Sequence, residues 1–154
     1  VRVYGIKGKP ATDLYKVSMA YNDGYTAIGS LTYSWPDALE KAKKADEILR
    51  TRLSDLGLKF DEIGTEFLGV NACHGPLASK QDEINEVILK IGVRSHHHHD
   101  VEAFGKEIAP LILTGPPSVT GFAGGRPKPN EVIAYWPALM PKKLVKPEVQ
   151  IVEL

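Results

Sequence analysis

The sequence predicts an α+β fold: an antiparallel sheet with two helices on one face. Three observations carry this. Two stretches, Trp35–Gly57 and Asp100–Gly115, place apolar residues at helical spacing. Leu58–Asn71, Glu83–Ser95 and Glu131–Trp136 are short and rich in β-formers. Before them, "LYKVSMAYNDGYTAIGSLTY" consists of two alternating runs around Asn22-Asp23-Gly24. The order is hairpin, helix, strand, strand, helix, strand. Without the first hairpin strand it reads β-α-β-β-α-β, the ferredoxin-like split βαβ pattern. The expected fold is therefore ferredoxin-like with an extra N-terminal hairpin strand.

Each element has a local reason. In the hairpin, a three-residue loop Asn22-Asp23-Gly24 pairs Tyr21 with Tyr25, Met19 with Ala27 and Tyr15 with Leu31. That register collects the larger apolar residues on one face, with Gly24 left-handed in a bulge. In the first helix, Pro36 suits the first helical position, and Asp37 and Glu40 lie near the positive end. Leu39, Ala42, Ala45, Leu49, Leu53 and Leu56 form its apolar stripe, and Gly57 closes it. The next strand carries Gly64, read as a bulge. Residues 72–82 read as a loop, and the following strand centres on Val87–Val93. Val101, Phe104, Ile108 and Leu111 mark the second helix, which Pro110 should kink or stop near Ala109. The organisation expected is an irregular lead-in over 1–13, with a short strand at Val1–Tyr4, then a ferredoxin-like domain over 14–140. An extended tail over 141–154 should hold a short strand at Val149–Val152. The lead-in reads as the end of a missing N-terminal domain, and the chain as a fragment of something longer.

Composition excludes some functions. Lysine plus arginine equals aspartate plus glutamate, 19 each. That balance argues against a nucleic-acid partner or an anionic membrane surface. No apolar run approaches the roughly 18 residues of a membrane helix. The single cysteine, Cys73, excludes an internal disulfide and fits a cytoplasmic location.

The segment "LTGPPSVTGFAGGRPKPNEV", residues 113–132, looks least like packing. It holds four glycines and four prolines. Gly121, Gly124 and Gly125 can take positive φ and expose backbone N–H groups. Such groups cradle phosphate or carboxylate. Arg126 offers a donor fork for the same anions, and Lys128 a second charge. The segment runs from a helix into a strand, the reverse of the dinucleotide fingerprint and the phosphate loop. Val119 and Phe122 should anchor it as an ordered loop, with Arg126 aimed at a carboxylate or carbonyls. Its expected role is contact with a ligand or another domain.

Other candidates read as structural. His96, His97, His98 and His99 could ligate a metal. However, consecutive side chains diverge, so the expectation is no metal site and a polar loop with His99 or Asp100 capping the helix. Cys73-His74 are adjacent in a loop and do not face each other as a dyad would. Of Asp61, Glu62 and Glu66, only the last two share a strand face. No catalytic residue is identified.

The hairpin Asp23-Gly24-Tyr25, Phe104-Gly105 and Glu107-Ile108-Ala109-Pro110 carry a family resemblance. So does the run Gly115-Pro116-Pro117, Thr120-Gly121 and Gly124-Gly125-Arg126-Pro127. The chain resembles the C-terminal part of the acyclic terpene utilisation AtuA family over nearly its whole length. The resemblance implies a ferredoxin-like C-terminal domain that normally follows a larger N-terminal domain. It also implies the catabolism of acyclic terpenoids through CoA thioesters. The reading is an accessory or docking domain, non-catalytic on its own, whose partner is the larger AtuA-type domain, fused or separate. A homo-oligomer is a further expectation, and the aromatics Tyr15, Tyr21, Tyr25 and Tyr33 are candidates for the docking face. The alternative is the ligand-binding part of an enzyme acting on a terpenoid acyl-CoA or related carboxylate, with a CoA thioester as ligand. No resident cofactor is expected.

Overall fold

A computed structural model describes residues 1–77, 84–121 and 124–153. Its elements are β1 (Leu14–Ser34), α1 (Ala38–Asp55), β2 (Glu62–Leu68), β3 (Glu86–Ser95) and α2 (His98–Ile108), followed by α3 (Leu111–Thr114), β4 (Val119–Thr120) and β5 (Asn130–Pro141). The sheet runs in the order β2-β3-β1-β4, and β5 also pairs with β1. This is the ferredoxin-like α+β arrangement with one additional strand.

The extra strand does not come from a hairpin. Residues 14–34 form a single strand of 21 residues that passes through Asn22-Asp23-Gly24. The expected pairing of Tyr21 with Tyr25 is absent. Tyr25, Ala27 and Leu31 instead pair with Ser95, Val93 and Leu89 of β3. Long-range contacts explain the difference. The Arg94 guanidinium grips both the Asp23 carboxylate and its carbonyl oxygen. Gly24 has a φ of 90°, and an added Cβ would lie 2.7 Å from the Ser95 carbonyl oxygen. The turn-forming residues thus let the end of β3 approach β1 closely instead of reversing the chain. Asn22 still makes its local bond, with Oδ1 accepting from Gly24 N at 2.9 Å.

The chain divides into two compact units. The smaller comprises Val1–Tyr21 and Ile133–Leu154. There Lys142 N donates to the Asp13 carbonyl at 2.9 Å, and Lys142 Nζ sits 5.4 Å from the Tyr15 ring centroid. Residues 1–12 hold no regular element, so the expected strand at Val1–Tyr4 does not form. The tail departs from expectation too: a 3-10 turn covers Lys142–Leu144, and 145–153 form no strand.

The larger unit, Asn22–Val132, contains the core. Alternation decides which face is buried. Val87, Leu89, Ile91 and Val93 of β3 are buried, together with Ala27, Leu31 and Tyr33 of β1. They meet Ala42, Ala45, Leu49 and Leu53 of α1 and Val101, Phe104 and Ile108 of α2. Two members of the expected α1 stripe fall outside this core, since Leu39 is only partly buried and Leu56 is exposed. The helix also begins two residues beyond Pro36, after Asp37 at φ 57°. Gly57, at φ 69°, ends it. β2 is unbroken at Gly64, which pairs with Gly92. The tie from α1 to β2 is polar. Thr65 Oγ1 donates to Asp46 Oδ1 and accepts from Arg50 Nη2, both at 2.7 Å. Pro110 stops α2 at Ala109 as expected, and α3 follows. The last strand is longer than the expected 131–136, reaching Pro141. The loop expected over 72–82 lies partly outside the described residues.

Tyr33 generates a test. Its hydroxyl is buried and has no hydrogen-bond partner among the described residues. Burial pushes its pKa up from 10.0 to about 12. The folded state therefore favours the protonated phenol. The associated stability is fully present below about pH 10 and is lost as pH rises through about 12. Tyr33→Phe, which carries no such proton, should match or exceed the parent's stability at neutral pH. Its urea midpoint should fall less between pH 10 and 12. Identical alkaline profiles for the two proteins would refute this.

Candidate functional site

α2 presents His98, Glu102 and Lys106 at intervals of four residues, which places them on one helical face. Opposite this face runs Arg126-Pro127-Lys128-Pro129. Together these seven residues line a cavity of about 420 Å³. The size falls within the range of small-ligand sites.

Two glycines let the segment sit so close. An added Cβ at Gly105 would overlap the Pro127 carbonyl oxygen. At Gly29 it would lie 2.6 Å from Ile108 Cδ1 and 3.1 Å from Pro127 Cγ. The prolines restrict the segment's φ, so the position of Pro127 over α2 is set by backbone contact.

Within the cavity, Lys106 Nζ pairs with Glu102 Oε1 at 2.9 Å. The hydrogen bond from Lys106, then its charge, holds the Glu102 carboxyl below the usual carboxylate range, with smaller contributions from His98 and His99. Arg126 and Lys128 are exposed and make no ion pair among the described residues. The expectation that Arg126 reaches a carboxylate or carbonyl is therefore not met among those residues. His98 is held edge-on to Tyr25, with ring centroids 5.0 Å apart.

The sequence-expected residues separate into groups. Arg126 and Lys128 share the cavity. Gly121 does not line it; its missing Cβ makes room for Ile112, whose Cδ1 would lie 2.7 Å away. Gly124 and Gly125 have φ of 90° and 86° with open space around them, so they serve a left-handed turn and not a close approach. Phe122, expected as an anchor, lies outside the described residues, while Val119 packs against the core. Sequence reasoning missed Glu102 and Lys106, and considered His98 only as a metal ligand or loop residue. Their i, i+4, i+8 spacing was the available signal.

The histidines diverge. His96 Nε2 lies 4.0 Å from Asp61 Oδ2, His98 meets Tyr25, and His99 Nδ1 lies 3.4 Å from Asp100 Oδ1. No group of three or more His, Cys, Asp or Glu side chains placed to hold a metal occurs among the described residues. The position before α2 belongs to His97, not to His99 or Asp100. Ser95 Oγ accepts from His97 N at 3.1 Å, and Asp100 Oδ2 accepts from Lys59 N at 3.3 Å. Cys73 and His74 are exposed.

A second feature lies on the helix-free face of the sheet. Gly64 and Gly92 stand opposite each other and floor two adjoining hollows of about 410 and 300 Å³. Both hollows include Ile28, a residue 57 % exposed. Lys90–Glu66 at 2.9 Å and Arg94–Glu62 at 3.7 Å form the charged rim.

Fold and surface define a ferredoxin-like α+β domain with a cation-rich cavity on one helix and a glycine-floored trough on its bare sheet face. A family model described as acyclic terpene utilisation family protein AtuA matches residues 1–151, and the chain belongs to that family. Membership ties it to acyclic terpene utilisation. No curated protein matches it. Among solved structures it is similar to the de novo designed protein Ferredog-Diesel, at 17 % identity and a TM-score of 0.36, over 79 % of this chain and 98 % of that one. Among the described residues, no helix is long and apolar enough to cross a membrane.

Gly105→Ala should lower the thermal midpoint more than Gly124→Ala. The first drives a methyl into backbone, whereas the second costs only the strain of positive φ, about 1–2 kcal/mol. Amide exchange within α2 should rise in Gly105→Ala alone. Equal effects at both positions would show that the close approach of Pro127 contributes little.

Proposed function

We propose that this chain is an accessory domain in acyclic terpene utilisation, non-catalytic on its own, that docks onto a larger AtuA-type domain. The trough on the helix-free sheet face carries the reading. Apolar side chains at the centre of a charged rim are the usual anatomy of a protein interface. Here Ile28, 57 % exposed, lies beside Gly92 between the Lys90–Glu66 and Arg94–Glu62 pairs, and Ile88, 40 % exposed, lies on the same face just beyond Lys90. Paired glycines add a reason specific to this face. With no side chain at Gly64 or Gly92, a partner's apolar side chain can reach the sheet backbone. The aromatic candidates support this face less than expected. Tyr33 is buried in the core, and Tyr25 is half-buried against His98.

Mixing the chain with a purified N-terminal AtuA-type domain should give a one-to-one complex by size-exclusion chromatography with light scattering. Ile28→Asp should weaken that complex by tenfold or more without altering the circular dichroism of the free chain. A chain that forms only homo-oligomers, or a complex unmoved by Ile28→Asp, would overturn the docking reading.

A further inference from the structure

The chain is neutral overall, with 19 acidic and 19 basic residues. The cavity between α2 and residues 126–129 is not. It gathers Lys106, Arg126 and Lys128 around a single carboxylate, Glu102. That carboxylate is taken by Lys106 at 2.9 Å. Two cations remain that have no ion pair among the described residues, Arg126 and Lys128. Between them lies Pro127, with Pro129 beyond, so the wall beside the charges is apolar. A charged edge beside an apolar wall suits a ligand with an anionic head and an apolar body.

We propose that this cavity binds a small organic anion through a carboxylate or phosphate group held by Arg126 and Lys128. Arg126 supplies the bidentate fork that both oxyanions accept. Lys128 adds a point charge one residue past Pro127, and the restricted φ of Pro127 and Pro129 limits the ordering cost on binding. Glu102 acts as a counter-ion that keeps Lys106 occupied. A ligand with more negative charge can draw Lys106 away as a third donor. The inference is independent of the docking reading, because the trough lies on the face of the sheet that carries no helix.

The test is calorimetric titration of the intact chain at low ionic strength with two separate probes, inorganic pyrophosphate and sodium octanoate. Saturable one-site binding of at least one probe is expected. Pyrophosphate alone would identify phosphate as the head group, and octanoate alone a carboxylate with an apolar body. The double variant Arg126→Ala/Lys128→Ala should bind the active probe at least tenfold more weakly. Glu102→Gln, which releases Lys106, should bind it severalfold more tightly. Lys7→Ala/Lys9→Ala removes the same two charges outside the cavity and should change affinity less than twofold, as should the docking variant Ile28→Asp. Circular dichroism confirms the fold of each variant. The proposal is overturned if neither probe saturates, if the cavity double variant binds as the parent does, or if Lys7→Ala/Lys9→Ala weakens binding as much as the cavity double variant.

Discussion

The structure depends on the two-sided alternation of β3. Its inward residues Val87, Leu89, Ile91 and Val93 are fully or almost fully buried. Full burial of such a side chain is worth about 1.5–3 kcal/mol, so these four are a large share of a small domain's driving force. The strand is bonded on both sides. β1 pairs with it from Tyr25 to Ser34, and β2 from Glu62 to Leu68. A one-residue slip on either side would turn the apolar set outward. This constraint fixes the face on which α1 and α2 pack, and with it the face left open.

Glycine does two different jobs around this framework. At Gly24, Gly29 and Gly105 it clears space for another part of the chain: the Ser95 carbonyl, Ile108 with Pro127, and the Pro127 carbonyl. At Gly124 and Gly125 it supplies a left-handed backbone with nothing nearby. The two roles meet in the cavity. A left-handed turn brings the chain round, and Gly105 lets it settle on α2 so that Arg126 and Lys128 reach the helix bearing Lys106. At Gly64 and Gly92, by contrast, the missing side chains leave the floor of the trough open. Both candidate surfaces therefore rest on what glycine omits.

Local pattern made much of this legible. Apolar residues at helical spacing gave α1 and α2, and Pro110 gave the end of α2 because its ring and missing N–H cannot continue a helix. The alternation of Val87–Val93 gave β3, and the order of elements gave the ferredoxin-like class. Arg126 and Lys128 stood out because charge beside glycine and proline has little use in a core. The AtuA resemblance rested on the same segment. All of these are properties of neighbouring residues, which a sequence displays directly.

Partner choice was decided only by tertiary structure. Asn22-Asp23-Gly24 has the chemistry of a turn, yet Arg94, 71 residues from Asp23, engages Asp23 and β1 continues through it. Gly64 looked like a bulge, but Gly92 lies opposite it in an unbroken ladder. In sequence, His98 reads as part of a polar loop and Glu102 and Lys106 carry no signal of a site; Pro127, resting on Gly105, makes the three one wall of a cavity. The sequence by itself determined α1, α2, β2 and β3, the buried alternation and the cationic segment, because these follow from periodicity and side-chain chemistry. Which strand β1 pairs with, and which helix the cationic segment faces, depended on contacts between residues distant in the chain.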